Sequence, residues 1–216
     1  MKTYSNHQLQ RYPIYLNYLR ELFDSGSEYV SSPQIAEKLG YSEEQVRKDL
    51  ANVSHESGRP KKGRSVRQLI RDLEIFLGYR GSSPAVLIGC GRLGRALLNY
   101  PAFERMGLEI KAGFDVDPDL VGKTIEGKRI YPMSELGRVI REKKVMIAIV
   151  AVPVDYAQEV VNLIASAGAK AIWNFAPTLI DVPEGVVVEN VDLASSLAVL
   201  NHRLNRMLES SHPRID

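Results

Sequence analysis

The residues best suited to chemistry are three glycines, Gly89, Gly91 and Gly94, in the run Ala85-Val86-Leu87-Ile88-Gly89-Cys90-Gly91-Arg92-Leu93-Gly94. An apolar strand entering a glycine-rich turn has a definite use. The first glycine allows the tight turn, the second lets the backbone approach a pyrophosphate, and the third lets the next helix pack closely on the sheet. The helix expected from Arg92 to about Asn99 would aim its N-terminal amides and positive dipole end at the phosphates. A second strand, Glu109-Ile110-Lys111-Ala112-Gly113-Phe114-Asp115, ends on an acid about 20 residues after the last glycine, where a ribose 2′-hydroxyl is bound. An acid there favours NAD over NADP, because a 2′-phosphate would meet a like charge. Asp117 is a second candidate for that role. The alternative is a structural glycine turn beside a solvated aspartate. Cys90 reads as a small residue filling the turn, with Arg92 and Leu93 completing it.

This motif begins only after some eighty residues of different character, so a separate module is expected before it. Tyr12, Tyr15, Leu16, Leu19, Leu22 and Phe23 recur at helical spacing and Gly26 follows as a stop. Ser32-Pro33-Gln34 reads as an N-cap with proline at the first helical position, opening a short helix through Ile35, Ala36 and Leu39 that closes at Gly40. Ser42-Glu43-Glu44-Gln45 reads as a capping box starting a third helix, with Val46 and Leu50 facing inward. Two short capped helices joined by Gly40-Tyr41-Ser42 form a helix-turn-helix pattern, whose second helix would be the reader. Gln45, Arg47, Lys48 and Asn52 fall away from the Val46/Leu50 stripe and are types that bond base edges or phosphates in a major groove. A solvated polar face is the competing reading.

Charge favours nucleic acid. The net +2 divides into 13 Lys/Arg against 10 Asp/Glu over residues 1–80, and 15 against 16 over 81–216. Arg59, Lys61, Lys62, Arg64, Arg67 and Arg71 occur with no acid between them, and the segment from His55 to Arg64 reads as a wing tip reaching across the DNA backbone. Ser65-Val66-Arg67-Gln68 is a further capping box, opening a helix through Leu69, Ile70, Leu73, Phe76 and Leu77. Gly78 to Ser83 reads as a linker.

After the Asp115 strand, Asp117 to Tyr131 reads as turn-rich and strand-poor. Ser134 to about Glu142 reads as a helix, Val145 to Val152 as a buried strand, Asp155 to Ala167 as a helix stopped by Gly168, and Ala169 to about Trp173 as a strand. A continuous apolar run such as Val145–Val152 suits a parallel sheet. The implied architecture is a doubly wound sheet, whose strand ends would bring Val152-Pro153 and Asn174-Phe175-Ala176-Pro177 to the nicotinamide end of the crevice. From Asp192 to about Leu208, Leu193, Leu197, Leu200, Leu204 and Leu208 form a helical stripe that needs an apolar partner. A dimer contact is the preferred reading, and a two-fold dimer suits palindromic half-sites.

The whole composition is that of an ordinary globular chain, 44% hydrophobic and 25% charged. One cysteine leaves no intrachain disulfide framework, Met1-Lys2-Thr3-Tyr4 does not read as a signal peptide, and no apolar run approaches the roughly 18 residues of a membrane span. A cytoplasmic protein is expected. A small dehydrogenase is the main rival, but about 130 residues of dinucleotide fold leave no substrate domain, and His7, His55, His202 and His212 lie outside the nucleotide domain. A CoA-binding or purely structural module shares the open sheet but gives no use for Asp115.

The chain resembles the redox-sensing transcriptional repressor family Rex over almost its whole length. The resemblance is carried by Val30-Ser31-Ser32, Gln45-Val46-Arg47-Lys48-Asp49-Leu50, Gly89 to Gly94, Phe114-Asp115-Val116-Asp117, Val152-Pro153 with Ala157-Gln158, Asn174 to Pro177, and Glu189-Asn190-Val191-Asp192-Leu193. One departure is plain: where the family has an aromatic, glycine-rich wing, this chain has Asn52-Val53-Ser54-His55 through Arg64-Ser65-Val66. The resemblance implies an α/β chain of a winged helix-turn-helix DNA-binding domain (1–80), a Rossmann-like NAD(H)-binding domain (84–191) and a C-terminal dimerisation helix (192–216). It further implies a homodimeric repressor, not an enzyme, that binds palindromic operator DNA through Ser31, Ser32 and the reader helix and releases it when NADH binds. It places a polar relay on Arg20, Tyr100 and Asp192, although Asp192 also suits the N-cap of the terminal helix.

Overall fold

A computed structural model describes residues 4–54 and 63–211. The chain divides into two compact units: the described residues up to Gly81 with Arg105–Gly107, and Ser82–Glu104 with the chain from Leu108 onward.

The first unit comprises α1 (Asn6–Asp24), β1 (Tyr29–Val30), α2 (Ser32–Leu39), α3 (Glu43–Val53), β2 (Arg64–Ser65) and α4 (Val66–Phe76). Its core gathers the predicted stripes: Tyr12, Tyr15, Leu16 and Leu19 of α1 pack with Ile35, Val46, Leu50, Leu69 and Leu73. Each helix begins on a serine whose hydroxyl accepts an amide three residues on, and α2 ends on Gly40 at φ 71°. The cap of α2 corrects the sequence reading by one residue. It is Ser31, extended at φ −100°, with its own N–H donated to Gln34 Oε1 at 2.8 Å. A capping box requires Gln or Glu at the third helical position, and Gln34 stands there relative to Ser31, leaving Pro33 second in the helix. β1 and β2 pair antiparallel, Val30 opposite Arg64. Gly63 is required beside them, since a Cβ there would sit 2.3 Å from the Val30 carbonyl oxygen.

The second unit continues with β3 (Ser83–Ile88), α5 (Arg92–Leu98), the short α6 (Ala102–Arg105), β4 (Leu108–Asp115), β5 (Thr124–Ile125) and β6 (Lys128–Pro132). A 3₁₀ turn (Met133–Glu135), α7 (Leu136–Glu142), β7 (Ile147–Val150), α8 (Val154–Ala167), β8 (Ala171–Asn174), β9 (Val187–Asn190) and α9 (Leu193–Ser211) complete it. The sheet order is β5-β6-β4-β3-β7-β8-β9, parallel throughout except for the β5–β6 hairpin. The region read as strand-poor therefore contains a sheet strand. β6 is not marked in the sequence because only Ile130 in it is fully buried, so it lacks the apolar run of its inner neighbours. β7 is also shorter than its apolar run: Ala151 and Val152 leave the ladder at its carboxyl end, where β3 and its two neighbours meet. Chain order reverses at β3, which creates the crevice of an open α/β sheet.

Candidate functional site

The glycine turn leaves β3 at that switch point. Gly89 has φ 90°, and a Cβ on it would lie 2.5 Å from the Ala151 carbonyl oxygen and 3.1 Å from Val152 Cγ1, so the turn is pressed against the end of β7. At Gly94 a Cβ would fall 1.9 Å from the Gly89 carbonyl oxygen, as expected for close packing of α5 on its own turn. Gly91 differs: a Cβ there would meet no protein atom within 4 Å. Among the described residues nothing demands glycine at 91, which fits a residue kept small for an approaching phosphate. Arg92 and Leu93 are exposed on the first turn of α5, and Arg95 Nε donates to the Cys90 carbonyl at 3.1 Å.

Asp115 ends β4 beside this turn. Its Oδ2 accepts the Cys90 N–H at 2.6 Å, and its Oδ1 accepts the amides of Val116 and Asp117 at 2.7 and 3.0 Å. Asp117 is exposed and caps the following turn through the Asp119 amide at 2.8 Å. Cys90 is wholly buried; burial, aided by the nearby Asp115 charge, pushes its thiol up to about 11. Gly113 is needed behind this turn for a reason that only packing reveals: a Cβ there would lie 2.8 Å from Cys90 Sγ and 2.6 Å from Ile130 Cδ1.

The remaining crevice loops are held to these ends. The Phe175 amide donates to the Val150 carbonyl at 2.8 Å, continuing β8 past its ladder. Asn174 is fully buried: its Nδ2 donates to the Ala176 and Thr178 carbonyls and to Asn190 Oδ1, and its Oδ1 accepts the Ala176 amide. It therefore shapes the loop through Pro177 rather than facing outward. Phe175 is half-buried and stacks on Trp173 at 4.9 Å, Val152 packs on the core, and Pro153 caps α8 at the surface. The structure thus brings Gly89–Gly94, Asp115, Val152 and the 174–177 loop to one edge of the sheet.

In the first unit, Arg47 and Lys48 are exposed on α3, with Arg47 ion-paired to Glu43 one turn back. Gln45 is half-buried beside the Ser42 cap, and Asn52 is half-buried against the Tyr12 hydroxyl, turned more inward than expected. Ser31 and Ser32 stand at the start of α2, half-buried, and Arg64 lies in β2. Arg59, Lys61 and Lys62 lie outside the described residues. Asp49 is a polar position that the sequence does not single out. It is 2% exposed on α3 and binds three side chains of α1, and its signal in the sequence is an acid in register with Val46 and Val53 on the inward face.

The three relay candidates have partners within their own units. Arg20 donates to Glu74 at 2.9 Å, Tyr100 stacks edge-on against Phe103 at 4.8 Å, and Asp192 caps α9 by accepting the Ser195 amide at 2.9 Å. The Ser195 hydroxyl, which also donates to the carboxylate, and then that amide hold the Asp192 carboxyl below its ordinary range. The leucines of α9 are all exposed in the single chain, from 45% at Leu204 to 71% at Leu193. Among the described residues, no cluster of His, Cys, Asp and Glu suits a metal and no helix is long and apolar enough to cross a membrane.

Residues 5–51 match the family described as "Putative DNA-binding protein N-terminus", and residues 82–178 match that described as "CoA binding domain". The redox-sensing transcriptional repressor Rex of Treponema denticola is 43% identical over 91% of this chain and 93% of its own. That of Bacteroides fragilis is 42% identical over 91% of this chain and 89% of its own. Among solved structures, RSP, a Rex-family repressor, in complex with β-NAD+ and operator DNA matches with TM-score 0.89 and 33% identity over the full length of both chains. RSP in complex with β-NADH matches with TM-score 0.88 and 34% identity over 98% of each. The fold, the motifs and this identity along nine-tenths of the chain agree: the protein belongs to the Rex family of redox-sensing transcriptional repressors.

Proposed function

We propose that this chain is a homodimeric repressor that binds palindromic operator DNA through α3 and leaves it when NADH occupies the crevice of the second unit, so that it reads the NADH/NAD+ ratio. One observation carries the reading: a single chain joins an exposed Arg47-Lys48 reader helix to a glycine turn whose middle glycine serves no packing need and which is tied to an acid at the ribose position. The solved relative in complex with β-NAD+ and operator DNA supports it.

In this reading the Gly89–Gly94 amides and the first turn of α5 hold the pyrophosphate, with Cys90, Arg92 and Leu93 contributing backbone. Asp115, seconded by Asp117, holds the adenosine ribose. Val152, Pro153, Phe175, Ala176 and Pro177 enclose the nicotinamide end, with Asn174 holding their loop from behind, and the bound group would supply a ring that is cationic when oxidised and neutral when reduced. Ser31, Ser32, Gln45, Arg47, Lys48, Asn52 and Arg64, with Arg59, Lys61 and Lys62, contact bases or phosphates. Arg20, Tyr100 and Asp192 carry the signal. Release follows from linkage: NADH must bind the DNA-incompetent state better than the competent one, or no population shifts. The chain acts as a regulator rather than an enzyme and works in the cytoplasm.

Gel retardation of a palindromic duplex across a series of NADH/NAD+ ratios tests the proposal. Retardation that fades as NADH rises is expected; retardation indifferent to the ratio would refute it. A CoA arm separates the module named by the 82–178 match, since CoA should neither release the duplex nor displace NADH.

A further inference from the structure

We infer that Asp49, which faces away from DNA, sets the attitude of the reader helix and thereby decides whether Arg47 and Lys48 meet a specific site; the inference rests on the operator-binding reading above. The Asp49 carboxylate is 2% exposed and both of its oxygens accept directional hydrogen bonds. Its Oδ1 accepts Gln8 Nε2 and Arg11 Nη2, each at 3.0 Å, and its Oδ2 accepts Arg11 Nε at 2.7 Å and the Tyr15 hydroxyl at 2.9 Å. The Tyr12 hydroxyl donates to the Asp49 carbonyl at 3.3 Å. Residues 8, 11 and 15 lie three and four apart, hence on one face of α1. The hydrogen bonds to Asp49, with the carboxylate's charge adding to them against the effect of burial, also raise the affinity of Arg11 for its proton, as a tight bidentate pair should.

Val46, Leu50 and Val53 bury the same side of α3, but apolar contact is non-directional and leaves a helix free to roll or slide at little cost. A carboxylate held at both oxygens by a planar guanidinium is not so tolerant. Lys48 lies about 100° around the helix from Asp49, and Arg47 nearly opposite. A roll of about 10° displaces a side-chain tip about 6 Å from the axis by about 1 Å, and an error of that size spoils a recognition geometry. Asp49 is thus a positioning residue for base reading.

The decisive variant is Asp49→Leu/Arg11→Met/Tyr15→Phe. It removes the ion pair and the Tyr15 hydroxyl together, leaves Gln8 its hydrogen bond to the Tyr12 hydroxyl, keeps net charge unchanged, and replaces a buried ion pair by apolar side chains, a change often neutral or stabilising. The probes are a duplex selected by the wild-type chain from randomised palindromes and an unrelated duplex at low salt. The expected variant melts within a few degrees of wild type. It keeps its NADH affinity, its affinity for the unrelated duplex and its salt slope, yet binds the selected duplex about 10- to 100-fold more weakly. A folded variant that binds the selected duplex like wild type overturns the inference and leaves a stability role only. Should the triple variant not fold, Tyr15→Phe alone decides: a loss of about threefold in the ratio of specific to non-specific affinity supports the inference, and an unchanged ratio overturns it. A wild-type chain that selects no duplex removes the operator-binding reading, and this inference with it.

Discussion

The Asp115 carboxylate accepts the Cys90 amide at 2.6 Å, so the end of β4 holds the turn that leaves β3. The acid proposed to hold the ribose thus also clasps the glycine turn. Asp115→Asn preserves shape but offers one acceptor instead of two and removes the charge. It should weaken NADH binding about tenfold or more and narrow the preference over NADPH, read by titrating nicotinamide fluorescence.

Gly91 and Gly94 should separate ligand from scaffold. At Gly94 alanine meets backbone at 1.9 Å, so Gly94→Ala should cost about 3 kcal/mol or more and lower the melting temperature sharply. Gly91→Ala meets no protein atom, and should leave melting within about 2 °C while reducing NADH affinity at least tenfold. Thermal melts with and without NADH check both.

Cys90 should stay unalkylated by iodoacetamide at pH 8 in the folded protein and react on unfolding. Its folded thiol, pushed up to about 11, titrates above the ordinary value of 9.0. The folded state therefore retains a proton that the unfolded state loses, and stability is intact below pH 9 and declines as pH rises toward 11. The contribution is about 1.4 kcal/mol per pH unit across that window. Wild type should fall more steeply than Cys90→Ala in chemical denaturation between pH 9 and 11; parallel curves would contradict the burial argument.

Arg47→Ala should weaken operator binding by about 1–3 kcal/mol without altering NADH affinity. Lys48→Ala should lower affinity for all duplexes and reduce the salt slope by about one. Fluorescence anisotropy at several salt concentrations distinguishes base reading from phosphate contact. An Arg47 variant with full affinity for its operator would move the reader elsewhere.

Leu197→Arg/Leu204→Arg places two charges within the exposed stripe of α9. In the proposed dimer these charges would be buried unpaired, so the variant should be monomeric by light scattering, retain NADH binding and lose high-affinity retention of a palindrome. A variant that remains dimeric would place the contact on another surface.

Local chemistry made much of this protein legible. A glycine at a tight turn, a serine three residues before Gln, and an apolar stripe at helical spacing are constraints acting over three or four residues. They are written out in Ser42-Glu43-Glu44-Gln45, in Gly40 and in Gly89 to Gly94. Even so, Ser31 rather than Ser32 caps α2, because which of two adjacent serines is extended depends on how β1 delivers the chain. What the tertiary structure alone decided involves residues far apart in sequence. β6 and β9 exist because the sheet offers them an edge to pair with; neither is apolar enough to announce itself. Asp49 reads as one more charge on a helix until α1 surrounds it, and Asn174 as a crevice residue until Asn190 and the Ala176 and Thr178 carbonyls draw it inward. The sequence by itself determined the glycine turn, the serine caps of α3 and α4 and the alternation of the inner strands with their helices, because those follow from backbone conformation and short-range hydrogen bonds. Which polar side chains face a ligand and which hold the frame was settled only by burial, where an unpartnered polar group is too costly to leave unmatched.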